Sequence, residues 1–305
     1  MLTILLGMAA IILLGIFWRT MLRQRPADTI RGHLARAVYE VFLPALVLHV
    51  MWRTQVDLNT LRVPTVSAIG VLVSLLAAYL IYSDGRKFGG KKAAGAMLLA
   101  AGFGNYTYLG LPVLTQTFGE WAQTVAIPYD LFASTPLLFT VGIMLAGHYG
   151  SSAKATRAGI ELLRVPALWA AVGGLLFSVV GLPMPDWLNQ TLGVLGAAVV
   201  PLMLLSIGMA LRWQSGWLSR LPVLAPVILI QLLFMPLVVW AACIGVGMPE
   251  RLLAPAVLEG AMPCMVLGLV ICDRFKLDAS LYAEAVTITT GLSLLTLPLW
   301  LKLVV

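Results

Sequence analysis

Asn105, Tyr106, Thr107 and Tyr108 lie in the stretch Gly102-Phe103-Gly104-Asn105-Tyr106-Thr107-Tyr108-Leu109-Gly110-Leu111-Pro112, which interrupts an otherwise apolar run. Their amide, hydroxyl and phenol groups supply donors and acceptors at a depth where lipid supplies none. Gly102, Gly104 and Gly110 let the chain unwind. An interior proline removes one helix hydrogen bond and crowds the turn before it, at about 3 kcal/mol or more. A second interruption, Glu259-Gly260-Ala261-Met262-Pro263-Cys264, lies in a later apolar run. Backbone groups freed inside lipid must be buried in protein or line a wet cavity. Two breaks in corresponding places point to a transport site near the bilayer midplane. Each half-helix presents about half a unit of partial charge at its end, and N-terminal ends favour anions. The chemistry is therefore non-covalent: a small carboxylate between the two breaks, with donors and acceptors from Asn105, Tyr106, Thr107 and Tyr108. A glycine-rich, kinked packing face is the alternative. Asn105 in particular would either bind solute or cap the broken helix.

Carboxylates within apolar runs need their own explanation, because one at a helix centre costs roughly 2.5–3.5 kcal/mol on insertion scales. Asp130 falls near mid-depth between Tyr129 and Leu131. It either carries a coupling proton or cation, or is a carboxylate satisfied by hydroxyls and freed amides. Glu40 and Glu259 each precede a proline, Pro44 and Pro263, by four residues, about one helical turn. Either could accept bonds from the opened backbone or reach the cavity as a coupling site. Glu284 is expected at a solvated helix end, and His49 and His148 at the interfaces. No cofactor and no metal is implied beyond a coupling H+ or Na+. Cys243, Cys264 and Cys272 show neither a disulfide framework nor metal-ligand spacing.

The elements that hold these residues follow from composition. The 305-residue chain is 60% hydrophobic and 11% charged, against about 25% charged for a soluble domain. A polytopic all-helical membrane protein is the class that fits, as one membrane domain over 1–305. A spanning helix needs about 20 apolar residues, which predicts ten: 2–20, 33–52, 64–83, 93–117, 121–147, 163–182, 187–211, 220–244, 252–272 and 279–303. The first is read as a membrane helix rather than a signal peptide, because its positive charges follow the apolar run. Alternate loops hold 16 of the 20 basic residues, the exceptions being Arg53, Arg62, Arg251 and Lys302. Basic loops stay cytoplasmic, so both termini are expected outside. The net charge of +7 lies in short loops between apolar runs, which argues against nucleic acid as a partner. Prolines recur at Pro44 and Pro201, 157 residues apart, and at Pro112 and Pro263, 151 apart. With five spans per half the second half must insert upside down, predicting inverted repeats over about 1–150 and 160–305 with broken helices 4 and 9. Chance placement of common membrane prolines is the alternative.

The segment Gly104-Asn105-Tyr106-Thr107-Tyr108-Leu109-Gly110-Leu111-Pro112-Val113 resembles the fourth-span signature of the auxin efflux carrier family, which includes plant auxin exporters and bacterial carriers assigned to malate and malonate. The stretch Pro201–Leu211 and the end from Met262-Pro263 through Leu294–Leu299 are similar as well. The resemblance implies inverted five-helix repeats with spans 4 and 9 crossing at their prolines. It places Asn105, Pro112 and Pro263 at the crossover and substrate site, with Cys264 next to them on the second wall. It also implies a scaffold of spans 1, 2, 6 and 7 that often dimerises. Many bacterial relatives carry an asparagine soon after the span-9 proline. Here Cys264, Met265, Val266 and Leu267 follow, so the second wall is more apolar.

The function expected is secondary transport of a small organic anion across the plasma membrane by alternating access. The competing classes are an ion or solute channel, a membrane sensor and a membrane enzyme. Against an enzyme, the chain has no His-Glu-x-x-His, no Gly-x-Ser-x-Gly and only three histidines.

Overall fold

The computed structural model describes residues 2–22, 24–55, 58–84, 88–150, 162–211 and 217–305. Arg23, Arg86, Lys87, Lys154, Arg157 and Arg212, which carry part of the loop-charge argument, lie outside them. The chain runs through α1 (Leu2–Met21), α2 (Gln24–Ala37), α3 (Leu43–Trp52) and α4 (Leu58–Tyr82). Next come α5 (Lys91–Gly102), α6 (Leu111–Phe118), α7 (Gln123–Tyr129), α8 (Thr135–Leu137) and α9 (Ile143–Tyr149). The second half contains α10 (Pro166–Val180), α11 (Asp186–Ala197), α12 (Val199–Ala210), α13 (Trp217–Leu229) and α14 (Met235–Gly245). It ends with α15 (Glu250–Gly260), α16 (Gly268–Phe275) and α17 (Ala279–Val304).

Among the described residues, six helical stretches are long and apolar enough to cross a membrane: Pro26–Trp52, Leu61–Tyr82, Glu120–Tyr149, Asp186–Ala210, Ser219–Gly245 and Ala279–Val304. Gly7–Met21 and Pro166–Val180 are shorter and also apolar. The predicted fourth and ninth spans are absent from that count because each is split, into α5 and α6 and into α15 and α16.

Proline shapes these helices in a recurrent way. Four π-helical turns, Val38–Phe42, Tyr106–Gly110, Asp130–Ser134 and Ile230–Phe234, each end two residues before a proline: Pro44, Pro112, Pro136 and Pro236. A proline offers no N–H to the carbonyl four residues back and its ring presses on that carbonyl. The widened turn relieves the crowding, and the residue before each proline bonds five residues back, as Leu111 does to Tyr106 and Thr135 to Asp130. Helices therefore pass through Pro44, Pro136 and Pro236 without stopping.

Packing divides the helices into two sets. α1 lies on α12, and α3 on α10 and α11, so the first, second, sixth and seventh predicted spans group together. The α1–α12 crossing is backbone against backbone. A Cβ on Gly208 would strike the Ile12 carbonyl oxygen and come 3.0 Å from Gly15 Cα. Small residues at such crossings are what allow close approach in lipid. Gly208→Leu should therefore force α1 away at a cost of about 1–3 kcal/mol, measured as a lower unfolding temperature in detergent. α4, α5, α14, α15 and α17 form the second set, with α4 on both α5 and α14 and α14 on α15.

Two carboxylates differ from expectation. Glu284 is not a solvated end: it is 3% exposed and pairs with Arg220 Nη1 at 3.1 Å, because the start of α17 packs against α13. Arg220→Ala would leave that carboxylate buried without its cation. A loss of about 1–3 kcal/mol is expected, below the range for a fully buried pair because Arg220 is half-exposed; thermal unfolding of the variant checks it. Glu40 does not reach the cavity. Its side chain is 49% exposed and accepts from Arg36 Nε at 2.8 Å, one turn earlier.

Candidate functional site

The two interruptions meet. Gly104 and Cys264 form an antiparallel bridge, in which Asn105 N–H donates to the Pro263 carbonyl at 2.7 Å and Met265 N–H to the Phe103 carbonyl at 3.1 Å. The unwound strands thus satisfy each other's backbone, as a non-helical segment away from water must. Neighbouring helices supply three further bonds. Cys264 N–H donates to Thr289 Oγ1 (3.2 Å), the Tyr282 hydroxyl to the Met265 carbonyl (3.0 Å), and Gln231 Nε2 to the Met262 carbonyl (2.9 Å). A Cβ on Gly104 would sit 2.6 Å from Tyr106 Cε1 and 2.8 Å from Gln231 Nε2, so glycine is required for this approach. The point of contact is not Pro112. That residue lies in the first turn of α6, eight residues past Gly104, and its effect is the π turn Tyr106–Gly110 before it. Pro263 does sit at the contact.

Beside the pairing is a cavity that gives a water-sized centre about 70 Å³ to occupy, room for several waters or a small carboxylate. Asn105, Tyr106, Thr107, Tyr108 and Asp130 line it, together with Tyr39, Ser134, Thr135, Met265 and Leu267. Pro112, Pro263, Cys264, Glu259 and Glu40 do not. Cys264 is fully buried behind the bridge, because its backbone, not its thiol, is the part that faces Gly104.

Asn105 is 3% exposed. Its carbonyl accepts from Leu109 and Gly110 N–H, while its side chain makes no cap bond to the turn that follows. The side-chain Nδ2 is buried without a hydrogen-bond partner among the described residues. An amide donor without a partner at a cavity wall is the chemical property of a ligand-binding group, since leaving it unmet costs about 1–3 kcal/mol. Asp130 is held by two hydroxyls: Thr107 Oγ1 donates to Oδ2 and Thr135 Oγ1 to Oδ1 at 2.9 Å. The π turn brings Asp130 and Thr135, five apart, onto one face. Tyr106 turns away from the centre of the cavity, its hydroxyl 3.4 Å from Met235 Sδ and its ring edge-on to Tyr129 at 5.0 Å.

Glu259 is fully buried, and neither carboxylate oxygen has a hydrogen-bond partner among the described residues. It lies against Gly110, whose added Cβ would collide with the carboxylate. Sequence reasoning passed over Thr135, Ser134, Tyr39 and Gln231. The run Asp130-x-x-x-Ser134-Thr135-Pro136 was a usable signal, since hydroxyls just before a proline face a widened turn. Gln231, alone among apolar neighbours on α13–α14, was another.

A family described as membrane transport protein matches residues 2–301. The chain belongs to this family. Its relatives include an uncharacterized transporter of Methanothermobacter thermautotrophicus, 30% identical over 97% of this chain and 95% of that one. The uncharacterized transporter YfdV of Escherichia coli K12 is 24% identical over 68% of this chain and 67% of its own length. A probable auxin efflux carrier component 9 of Oryza sativa is 27% identical over 44% of this chain and 33% of its own. With these relatives and its apolar helices, the protein is a multi-pass membrane transporter of the auxin efflux carrier family.

Proposed function

We propose that the protein is a secondary transporter that moves a small organic anion across the plasma membrane by alternating access, binding it where the broken fourth and ninth spans pair. The observation that carries this reading is Asn105: a buried amide with a partnerless donor, beside the Gly104–Cys264 bridge and in a cavity sized for a small carboxylate. The first turns of the two half-helices that begin after the bridge, at Tyr106 and Gly268, add N-terminal amides that favour negative charge. Thr107 and Tyr108 supply hydroxyls at the same wall.

Asp130 shares the cavity, and a second anion beside its carboxylate in a low-dielectric site is strongly unfavourable. A coupling H+ or Na+ that neutralises Asp130 removes that repulsion, which makes Asp130 the coupling residue of this reading. Glu259, buried without partners one turn before Pro263, is a second candidate to hold a proton. The architecture proposed is ten spans: the six long apolar helices, the two shorter ones and the two broken pairs, arranged as inverted repeats with both termini outside. The first, second, sixth and seventh spans, which pack together, serve as scaffold and as the face of a homodimer. The other six form the moving part.

The test is substrate-induced current from proteoliposomes on a solid support. Malonate, malate, simple monocarboxylates and indole-3-acetate are applied at two pH values, with and without sodium. Labelled-malonate counterflow covers electroneutral exchange. A saturable signal is expected, with the half-saturating concentration raised about 5- to 150-fold in Asn105→Ala, as for loss of a buried polar contact of about 1–3 kcal/mol. A folded Asn105→Ala protein with unchanged half-saturation would remove the site from the crossing.

A further inference from the structure

On the face of the molecule that carries few basic residues, a second and larger cavity of about 530 Å³ opens between the ends of α3, α7 and α15. Among the described residues, its only charged lining groups are Arg53 and Arg251, two of the four basic residues that break the loop-charge alternation. We propose that this cavity is an anion-collecting vestibule, a binding site for carboxylate-bearing solutes distinct from the one at the paired breaks. It deepens the organic-anion reading above and rests on it for the identity of the traffic, but it stands on its own geometry.

The two guanidinium groups are differently held. Arg251 lies over the Trp121 ring with Cζ 4.2 Å from the centroid. Stacking occupies the flat face of a guanidinium and leaves its edge N–H groups free, the fork that matches a carboxylate with two parallel bonds. Arg53 approaches His49 Nε2 at 3.5 Å. Neither arginine is in an ion pair among the described residues. Glu250, beside Arg251 in sequence, and Glu120, beside Trp121, are exposed and do not line the cavity; Asp57, four residues after Arg53, lies outside the described residues. The size suits a small-molecule site, typically about 300–1,000 Å³.

Position adds to the case. The floor of the cavity includes buried Val63 and Val125. Val125 is five residues before Asp130 along α7 and its π turn, about 7.5 Å at the helical rise. Leu252, also in the lining, lies in the first turn of α15, which ends at Gly260 just before the Pro263 break. The two cavities are therefore lined by residues about one and a half turns apart on the same helical stretch.

The test reads the potential in the vestibule without needing transport. Gln55, exposed on its rim, is replaced by cysteine. The purified full-length protein is treated with anionic sulfonatoethyl or cationic trimethylammonioethyl methanethiosulfonate, with the unsubstituted protein as background for its three buried cysteines. The anionic reagent should be favoured, and Arg53→Gln/Arg251→Gln should lower the anionic-to-cationic rate ratio by about tenfold, the lower end of charge-focusing effects. Malonate should protect the cysteine, and Arg251→Lys should keep the rate ratio while losing protection. A ratio that is unmoved by neutralising both arginines overturns the proposal, as does a preference for the cationic reagent. A normal ratio shift in a protein that moves no anion would leave the vestibule standing and count against the transport reading alone.

Discussion

Gly110→Ala should collapse the packing behind the paired breaks, and removing Glu259 should restore it. The methyl group would have to occupy the space of the Glu259 carboxylate, whose Oε1 and Cδ lie 2.7 Å from the Cβ position and whose Oε2 lies closer still. Neither partner has room to yield: Gly110 sits in the π turn imposed by Pro112, and Glu259 is fully buried next to Gly260, where even an added Cβ would come within 2.9 Å of Val239 Cγ2. Overpacking of this kind costs about 1–3 kcal/mol or more, enough to lower the unfolding temperature and the yield of folded protein in detergent. Glu259→Ala alone is expected to be neutral or stabilising, because it deletes a buried carboxylate with no hydrogen-bond partner. The double variant Gly110→Ala/Glu259→Ala should then recover most of the lost stability. A coupling of about 0.5–3 kcal/mol is the signature of direct contact. Strictly additive effects in the cycle would mean that the two groups do not press on each other.

Asp130 carries the second large expectation. With both of its oxygens held by threonine hydroxyls, Thr107→Val/Thr135→Val removes both hydroxyl donors from a cavity-lining carboxylate and leaves it the Thr107 backbone amide. Hydrogen bonds to a charged group contribute about 1.5–3 kcal/mol each, so the double variant should lose at least tenfold in transport rate and measurable thermal stability. Asp130→Asn keeps the shape but gives up the site of charge. It should fold, and its flux should no longer respond to pH or sodium in the current assay. A variant that transports at the parent rate, with the parent's pH and sodium response, would make Asp130 a structural acceptor for the two hydroxyls and nothing more.

These two carboxylates show why the sequence could nominate but not sort the acidic residues. Glu40, Asp130, Glu259 and Glu284 all stand in apolar runs. One faces outward beside Arg36, one faces a cavity, one is buried against a glycine and one is buried in an ion pair. Helical periodicity places a residue on a face of its own helix, but not on what that face meets. Each π turn adds a residue to the turn and so rotates everything beyond it by about 100°. Such turns contain Glu40 and Asp130, so facing inferred from an ideal helix fails there, whereas for Glu284 it is the helix packed against it that the local pattern leaves out.

What the sequence by itself determined is the class of protein, the positions of its apolar helices and the fact that two of them are broken. Those properties are local: apolar run length, glycine and proline within the run, and charge in the loops act over one or two turns of chain. The tertiary structure alone decided that the breaks pair at Gly104 and Cys264 rather than at Pro112, that Asn105 keeps its amide for the cavity, and that Thr107, Asp130 and Thr135 share one face. Those outcomes depend on contacts between residues up to 160 positions apart. The freed backbone groups of one break are satisfied by those of the other, and no local pattern records which partner a freed group will find.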